Sequence, residues 1–338
     1  MEAAMMQQPK PLRRAMWQLV YERRDISADI ADLLISAVYT DNRHGKSDDL
    51  QLSLSNLDGR WSQSWWPTAA DTLSWLFGWQ GGPAQSAGQF QVAEIELTGP
   101  PDLIQIKCNS AGISTDARTP RHQGYDGQRL GDIASTIAAR HGMVLVGTPP
   151  DIRLDRVTQN GESDLAFLTR LAGQFDAGLK VTGDQLVFQD RQALAAADTV
   201  LQLTPQSLSK WSFRAKTHGS AAAASVSYTE AGSGQTQRAT ATAAQARTGP
   251  AAGDMLRPNV RVDSPAAAQQ VADRQLAAAR AGQIEAQLDM AGEPRLAAGS
   301  RIEVSGFGRY DGAYLIESAR HRIDRSSGFT TSIEAKSC

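Results

Sequence analysis

The chain has 338 residues, of which 41% are hydrophobic and 21% are charged. This composition excludes a disordered chain and is typical of a globular protein with packed cores, and the length suits two or three domains. The net charge of −2 argues against a protein that binds nucleic acid through phosphate electrostatics.

Cysteine content and the N-terminal sequence bear on cellular location. There are two cysteines, Cys108 and Cys338, so we expect no disulfide framework and a reducing cytoplasm fits better. The N-terminal sequence lacks the apolar core of a signal peptide, and no apolar run approaches the ~18 residues of a membrane span. We therefore expect a protein that is made in a cytoplasm and has no membrane anchor.

The segment from Tyr39 to Pro67 is rich in acidic and amide side chains, which raises the question of a metal or acid–base site. Counted from Asp41, Gly45 stands at position 5 and Leu52 at position 12, whereas a calcium loop needs Gly at 6 and Glu at 12. Leucines that alternate with polar residues predict a half-buried strand, and the apolar run 33–40 predicts another. We therefore interpret the acids mostly as turn residues of a β-hairpin and predict no metal ligands.

A tryptophan cluster follows. Five of the seven tryptophans lie between residues 61 and 79, namely Trp61, Trp65, Trp66, Trp75 and Trp79. Adjacent Trp65 and Trp66 would point to opposite faces of an extended segment. Because Trp is enriched at interaction hot spots, the cluster is our candidate for core plus a subunit contact. A wholly intramolecular role remains the alternative.

Three regions follow one another along the chain. The first, residues 1–110, is rich in strands, and the alternation within 88–99 changes phase between Val92 and Ile95, which predicts a β-bulge. The second, residues 111–196, reads as a small α/β domain. It has helices at 128–142 and 163–175, with Ser163 as N-cap of the second, and a hairpin at 178–189.

The third region, residues 197–338, returns to strands. The Ala-, Gly-, Ser- and Thr-rich stretch 219–254 begins as a strand around Val226 and Tyr228, and we expect it to continue as a flexible loop or arm that reaches a neighbour. A helix is predicted at 265–281, and strands at 210–217, 301–306, 312–324 and 329–337.

A weak internal repeat links the first and third regions. Residues 88–110 and 312–337 each begin with Gly, one residue and an aromatic residue, Phe90 or Tyr314. Each continues as a strand, a polar turn and a second strand. The repeat indicates two similar β domains that flank the α/β region.

These segments resemble the late control gene D family of phage tail proteins, which is related to the hub domains of VgrG proteins in contractile injection systems. The resemblance runs from about residue 17 to 337. It is most specific at "ESDLAFLTRLA" (162–172) and "HRIDRSSGFTTSIEA" (321–335), and poorest at 219–254.

The resemblance implies an α+β, mainly β fold: two tandem tube-type β-barrel domains, 1–110 and 197–338, flanking an α/β insert, 111–196. It also implies a baseplate hub, a homotrimeric ring that adapts a six-fold tail tube to a three-fold spike. Expected partners are a separate trimeric spike protein, the tail tube, baseplate wedge and tape-measure proteins, with DNA passing through the lumen without specific binding. The expected location is the tail baseplate of a virion assembled in the host bacterial cytoplasm.

Two other functions compete with the hub interpretation. A peptidoglycan-degrading enzyme would need paired carboxylates or a recognisable nucleophile or metal motif, and none stands out. We therefore predict no catalytic residues and no cofactor. A module that binds cell wall or carbohydrate is the alternative, because the helix at 128–142 faintly resembles LysM repeats. His141 is interpreted as a residue that interacts with the C-terminal dipole of this helix.

Overall fold

The structure is a computed structural model that describes residues 13–69, 71–110, 116–216, 221–229, 236–242, 254–258 and 265–338. Strands dominate these ranges, together with five α-helices, so the mainly β, α+β expectation is met at the level of fold class.

The first third of the chain forms β1 (Ala15–Tyr21), β2 (Arg24–Asp25), α1 (Ser27–Ile30), β3 (Leu34–Asn42), β4 (Asp49–Ser55), β5 (Thr72–Trp79), β6 (Ala84–Thr98) and β7 (Leu103–Ser110). The predicted hairpin is confirmed, because β3 and β4 pair antiparallel and the alternating leucines of β4 are buried. The predicted bulge is confirmed as well, because the register of β6 against β7 shifts between Val92 and Glu94.

The middle of the chain forms β8 (Pro120–Arg129), α2 (Leu130–Arg140), β9 (Val144–Val146), β10 (Arg153–Ser163), α3 (Asp164–Gln174), β11 (Ala177–Thr182), β12 (Gln185–Asp190) and α4 (Arg191–Ala196). Both predicted helices are confirmed. The Ser163 side chain caps α3 by accepting a hydrogen bond from the Ala166 backbone N–H. Gly142 follows α2 with a φ of 66°, the left-handed position that favours glycine after a helix.

The last third forms β13 (Thr199–Leu203), β14 (Lys210–Ala215), β15 (Ala221–Thr229), β16 (Thr236–Thr242), β17 (Asp254–Leu256), α5 (Pro265–Arg280), β18 (Ile284–Ala291), β19 (Arg301–Val304), β20 (Gly312–Asp324) and β21 (Gly328–Ser337).

The stretch 219–254 differs from expectation in part. Its predicted first strand is present as β15, but residues 236–242, which we expected in a flexible loop, form β16 and pair with β15. Ala239 and Ala241 of β16 are buried in one hydrophobic core with residues of α5. Small side chains let a helix lie close to a strand, so a sequence with few large apolar residues still packs here. Residues 219–220, 230–235 and 243–253 lie outside the described part of the chain.

Among the described residues, three hydrophobic cores hold the elements together. The first lies under β1 to β7, the third under β13, β14 and β18 to β21, and the second around α2 and α3. The second core also takes in residues of β15, β16 and α5, among them Val226 and Leu276. The described strands β15 and β16 and the helix α5 therefore share a core with the α/β region.

Among the described residues, a 13-stranded sheet contains eight successive antiparallel strands in the order β14-β18-β21-β20-β3-β4-β7-β6 and continues from β6 to β5, β1 and β2. We call these eight strands the eight-stranded sheet. The junction in its middle is the pairing of β20 with β3, in which Ser318 lies opposite Asn42 and Asp324 opposite Ser36. The sheet thus joins a four-stranded unit from the end of the chain to one from its beginning.

The two four-stranded units have the same topology. The order β14-β18-β21-β20 in the second unit corresponds to β3-β4-β7-β6 in the first, and β19 pairs with the start of β20 as β5 pairs with the start of β6. A bulge occurs at the same place, between Val92 and Glu94 in β6 and between Ile316 and Ser318 in β20. The internal repeat seen in the sequence therefore has a counterpart in strand order and in bulge position.

Candidate functional site

The eight-stranded sheet has one face that packs on the cores and one that is polar. At several places on the polar face, neighbouring strands put opposite charges side by side: Arg214 is opposite Glu285, Glu285 opposite Lys336, and Lys107 opposite Glu94. A groove of about 710 Å³ crosses this face over β3, β20, β21, β18 and β14. The groove is lined by side chains of both charge signs, so no single sign of charge dominates it.

The five residues of the tryptophan cluster differ in burial. Trp61 and Trp75 are 4% and 2% exposed and lie in the first core, whereas Trp65 and Trp79 are only partly buried. Trp66 is 48% exposed. Some of these tryptophans are therefore core residues, and Trp66 is a surface residue. A subunit contact at Trp66 stays a prediction.

Trp66 lies at a groove of about 370 Å³ between β1 and the turn after β4. Trp61 and Trp65 meet edge to face beneath it, with ring centroids 5.4 Å apart. The chain turns here rather than running extended, because the Trp65 N–H donates to Arg60 O and the Trp66 N–H to Gln63 O. The exposure of Trp66 thus comes from a turn and not from the strand alternation we had assumed.

Aromatic side chains also fasten the two units of the sheet to each other. The Trp79 indole Nε1 donates a 2.7 Å hydrogen bond to Gly292 O, and its ring lies against Phe329. His321 of β20 stacks on Tyr39 of β3, with centroids 6.1 Å apart and rings 14° from parallel. The tryptophan cluster therefore contributes one member to the junction inside the chain.

A buried ion cluster lies where the sheet meets the α/β region, and sequence reasoning missed it. Lys180 Nζ of β11 lies 2.5 Å from Asp41 Oδ1 and 3.2 Å from Asp48 Oδ2, and both carboxylates are almost fully buried. Burial raises the pKa of Asp48 to about 6 despite the nearby ammonium. Burial alone would lower the pKa of Lys180, but Asp41 and Asp48 outweigh it and raise that pKa.

The interpretation of the acids in 39–67 as turn residues was therefore only partly right. Asp58 does serve a turn, bonding the Arg60 backbone and side chain. Asp41 and Asp48 instead hold an inter-region contact. A signal was available for Asp41, because it stands in phase with the buried residues Ala37 and Tyr39 along β3.

The connection between β3 and β4 is the platform on which β11 docks. The Gly45 N–H donates to Leu179 O, and the Leu179 N–H donates to Nδ1 of His44. Arg43 reaches the other way, with Nη2 3.1 Å from Oε2 of Glu317 on β20. Burial, with Arg43 adding to it, lowers the pKa of His44, so the ring accepts this bond in its neutral form.

His141 does more than interact with a helix dipole. Its Nε2 lies 2.8 Å from Oδ2 of Asp164, a fully buried carboxylate at the start of α3, and Arg140 reaches the same carboxylate at 2.8 Å. These contacts fasten the C-terminal end of α2 to the N-terminal end of α3. The predicted helix face and this polar pair together orient the two helices.

Among the described residues, no group of three or more His, Cys, Asp or Glu side chains is arranged to hold a metal ion. No helix in the same ranges combines the length and the apolarity needed to cross a membrane.

Comparison with known proteins gave consistent matches. The model of the family described as phage tail baseplate hub (GPD) matches residues 113–327. A curated relative, the probable baseplate hub protein of Escherichia phage 186, is 32% identical over 174 residues, which is 51% of this chain. The matched part covers 44% of that relative, so the chain aligns with less than half of its length.

Solved structures share the fold at low sequence identity. A tail protein from Neisseria meningitidis MC58 superposes with a TM-score of 0.69 at 14% identity, covering 96% of both chains. The Escherichia coli c3393 protein, a component of the type VI secretion system described as similar to T4 tail proteins gp27 and gp5, superposes with a TM-score of 0.53 at 12% identity. That match covers 89% of this chain and 73% of the other.

Proposed function

This chain belongs to the phage tail baseplate hub family, and from that premise we propose that it is the structural hub of a phage tail or of a related contractile injection system. Three copies form a ring. The ring adapts a six-fold tail tube on one side to a three-fold spike on the other.

The observation that carries this proposal is the duplication within the sheet. Two units of equal strand order and equal bulge position lie side by side through the β20–β3 pairing, each over its own core. They are the two tandem tube-type barrel domains of the proposal. Three chains with two similar units each present six similar surfaces, while the remaining parts of the chain follow three-fold symmetry.

The polar face of the eight-stranded sheet lines the lumen in this proposal. The opposite face is occupied by the hydrophobic cores, so only the polar face is available to a channel. Where cations and anions lie opposite each other on this face, they neutralise each other locally. DNA and the tape-measure protein would pass such a surface without strong adhesion, because no block of one charge sign faces them.

The proposed partners are the tail tube, a separate trimeric spike, the baseplate wedge proteins and the tape-measure protein. The proposed location is the baseplate of the virion tail, with assembly in the host cytoplasm. The role is structural rather than enzymatic. Two observations support this proposal: family membership, and the buried polar groups around Lys180 and Asp164, which connect secondary-structure elements.

The native mass of the purified chain, alone and with the spike protein encoded beside it, tests the proposal. A trimer in either sample supports the ring. A monomer in both samples contradicts it, and a monomer that also sediments with cell-wall material would favour the wall-binding alternative.

A further inference from the structure

Each end of the eight-stranded sheet leaves a strand edge open among the described residues. β14 pairs with β18 on one side only. β6 pairs with β5 as far as Gln91 and with β7 from Phe90 onward, so its side away from β7 is open from Ala93 to Thr98. Such edges offer unpaired backbone groups to another chain.

We propose that the open edge of β6 in one copy pairs with the open edge of β14 in the next copy, in the register that places Glu96 opposite Arg214. The partner for this surface is a second copy of the chain. The inference rests on the proposed ring, to which it adds the surfaces and the register.

The pairing inside the chain is the template for this register. One row of paired residues in the first unit, Val38–Gln51–Lys107–Glu94, corresponds by strand order to the row Ser212–Gln287–Glu334–Ser318 in the second. β6 is thus the counterpart of β20, and β14 the counterpart of β3.

The known β20–β3 register can therefore be transferred. Arg320 lies opposite Thr40 within the chain. The residues that correspond to them are Glu96 and Arg214. If the duplicated units repeat around a ring with the same spacing, the junction between copies matches the junction within a copy.

Strand direction agrees with this arrangement. Every neighbouring pair among the eight strands is antiparallel, so the first strand, β14, and the last, β6, run in opposite directions. If β14 of the next copy lies beside β6 of the first, these two strands also run antiparallel, as all neighbouring strands among the eight do. The contact joins two different surfaces, which is the kind of interface that closes into rings.

Exposure points to the same surfaces. Leu97 on β6 is 46% exposed, whereas its counterpart on β20, His321, is 3% exposed beneath β3. Trp211 on β14 is 52% exposed, whereas its counterpart on β3, Ala37, is 1% exposed. Positions that are buried at the junction within the chain are thus open at the two outer edges, and in the transferred register Leu97 faces Phe213, with Trp211 diagonal to it.

The charges on the two edges favour pairing of a β6 edge with a β14 edge. The β6 edge carries Glu94 and Glu96, while the β14 edge carries Arg214 and is followed by Lys216. In the transferred register Glu96 meets Arg214 and Glu94 meets Lys216. Edge charges often prevent unwanted strand pairing. Here each edge repels its own kind and attracts the other, which favours head-to-tail contact over two-fold contact.

Charge reversal tests the proposed contact. We expect Glu96→Arg and Arg214→Glu, each alone, to raise the subunit concentration for half-assembly at least about tenfold, because like charges then face each other. The double variant Glu96→Arg/Arg214→Glu should recover to within about threefold of the original chain. Arg156→Glu, an equal charge change at an exposed position of β10 away from both edges, is the matched control.

A cysteine pair tests the register independently. Ser212→Cys with Thr98→Cys, in a Cys338→Ser background, should give disulfide-linked copies on mild oxidation, because these positions lie opposite each other. The pair Ser212→Cys with Glu96→Cys is two residues out of register and should link poorly.

The outcomes separate this inference from the proposed function. If the unaltered chain never forms a trimer, the ring itself fails. If it forms one, but the reversals behave like Arg156→Glu and the opposed cysteines stay unlinked, the ring stands and the β6–β14 contact is wrong. Loss with each reversal, recovery in the double variant and linkage of the opposed cysteines would establish the contact.

Discussion

Lys180 Nζ on β11 lies 2.5 Å from Asp41 Oδ1 on β3, and the same carboxylate accepts a 2.8 Å hydrogen bond from the Ala298 backbone N–H. One aspartate thus joins the α/β region to both units of the sheet. Asp48 shares the ammonium from the other side. The three charged groups are largely shielded from solvent, so leaving any one of them unpaired would destabilise the folded protein.

Removing the lysine should be costly. Lys180→Met keeps most of the side-chain volume but leaves two buried carboxylates with one fewer partner. We expect the free energy of unfolding to fall by about 3 kcal/mol at pH 8, measured by urea denaturation. Because the pKa of Asp48 is already raised, the folded state binds its proton more tightly than the unfolded state, so the deficit should shrink as pH falls below about 6.

Lys107→Met is the matched control for that variant. Lys107 Nζ lies 3.0 Å from Glu94 Oε1 in an exposed pair. Its loss should cost less than about 1 kcal/mol with no added pH dependence. Equal losses in the two variants would mean that the Lys180 cluster is no more than another surface pair.

We expect the free energy of unfolding to fall in mild acid, because buried His321 is harder to protonate in the folded state than in the unfolded state. Burial lowers its pKa to about 4, and its ring donates from Nε2 to Leu296 O. A histidine that is neutral when folded contributes stability above the unfolded pKa of about 6.5, and this is lost as pH falls towards 4.

His321→Gln should therefore lose less stability in acid than the original chain does. Between pH 8 and 5 the original chain should lose about 2 kcal/mol more than the variant. The two unfolding curves, measured at several pH values, supply this difference directly. Identical pH dependence in both chains would show that His321 does not titrate in this range.

Trp66 and Trp75 should respond differently to truncation. Trp66→Ala removes a side chain that is 48% exposed and should leave a folded chain that fails to assemble. Trp75→Ala empties a core position and should cost about 3–5 kcal/mol of folding free energy. Thermal unfolding and native mass separate the two effects, and normal tail assembly with Trp66→Ala would contradict a subunit contact there.

Two glycines offer a matched test of backbone packing. A Cβ at Gly147 would lie 2.7 Å from Phe188 O, whereas a Cβ at Gly142 meets nothing within 4 Å, and both have positive φ. Gly142→Ala should therefore cost about 1 kcal/mol for conformation alone. Gly147→Ala should cost at least about 1 kcal/mol more, because the backbone of β12 must move. Equal melting temperatures of the two variants would contradict this packing.

Local features of this chain could be predicted from the sequence. The β3–β4 hairpin, the bulge in β6, the α2 and α3 helices and the Ser163 cap all depend on residues within a few positions of each other. Alternation, helical periodicity and capping chemistry express such short-range preferences. The repeat between 88–110 and 312–337 was also readable, because duplicated hairpins keep their turn and aromatic positions.

Other features had weak or ambiguous signals. β16 was missed because its buried residues are alanines, which carry little hydrophobic signal, although they suit close packing beneath α5. The acids at 41 and 48 were assigned to turns because a carboxylate near a turn is usually solvated. Nothing nearby in the sequence names Lys180 as their partner.

The sequence by itself determined the local elements, the duplication and the family, since these depend on residue order. Only the tertiary structure decided that β20 lies beside β3, that Lys180 closes on Asp41 and Asp48, and that Trp66 stays exposed while Trp61 and Trp75 are buried. These facts involve strands far apart in the chain. Which strands pair depends on the packing of all three hydrophobic cores. The free energy of that packing depends on residues from many parts of the chain and cannot be read from any single segment.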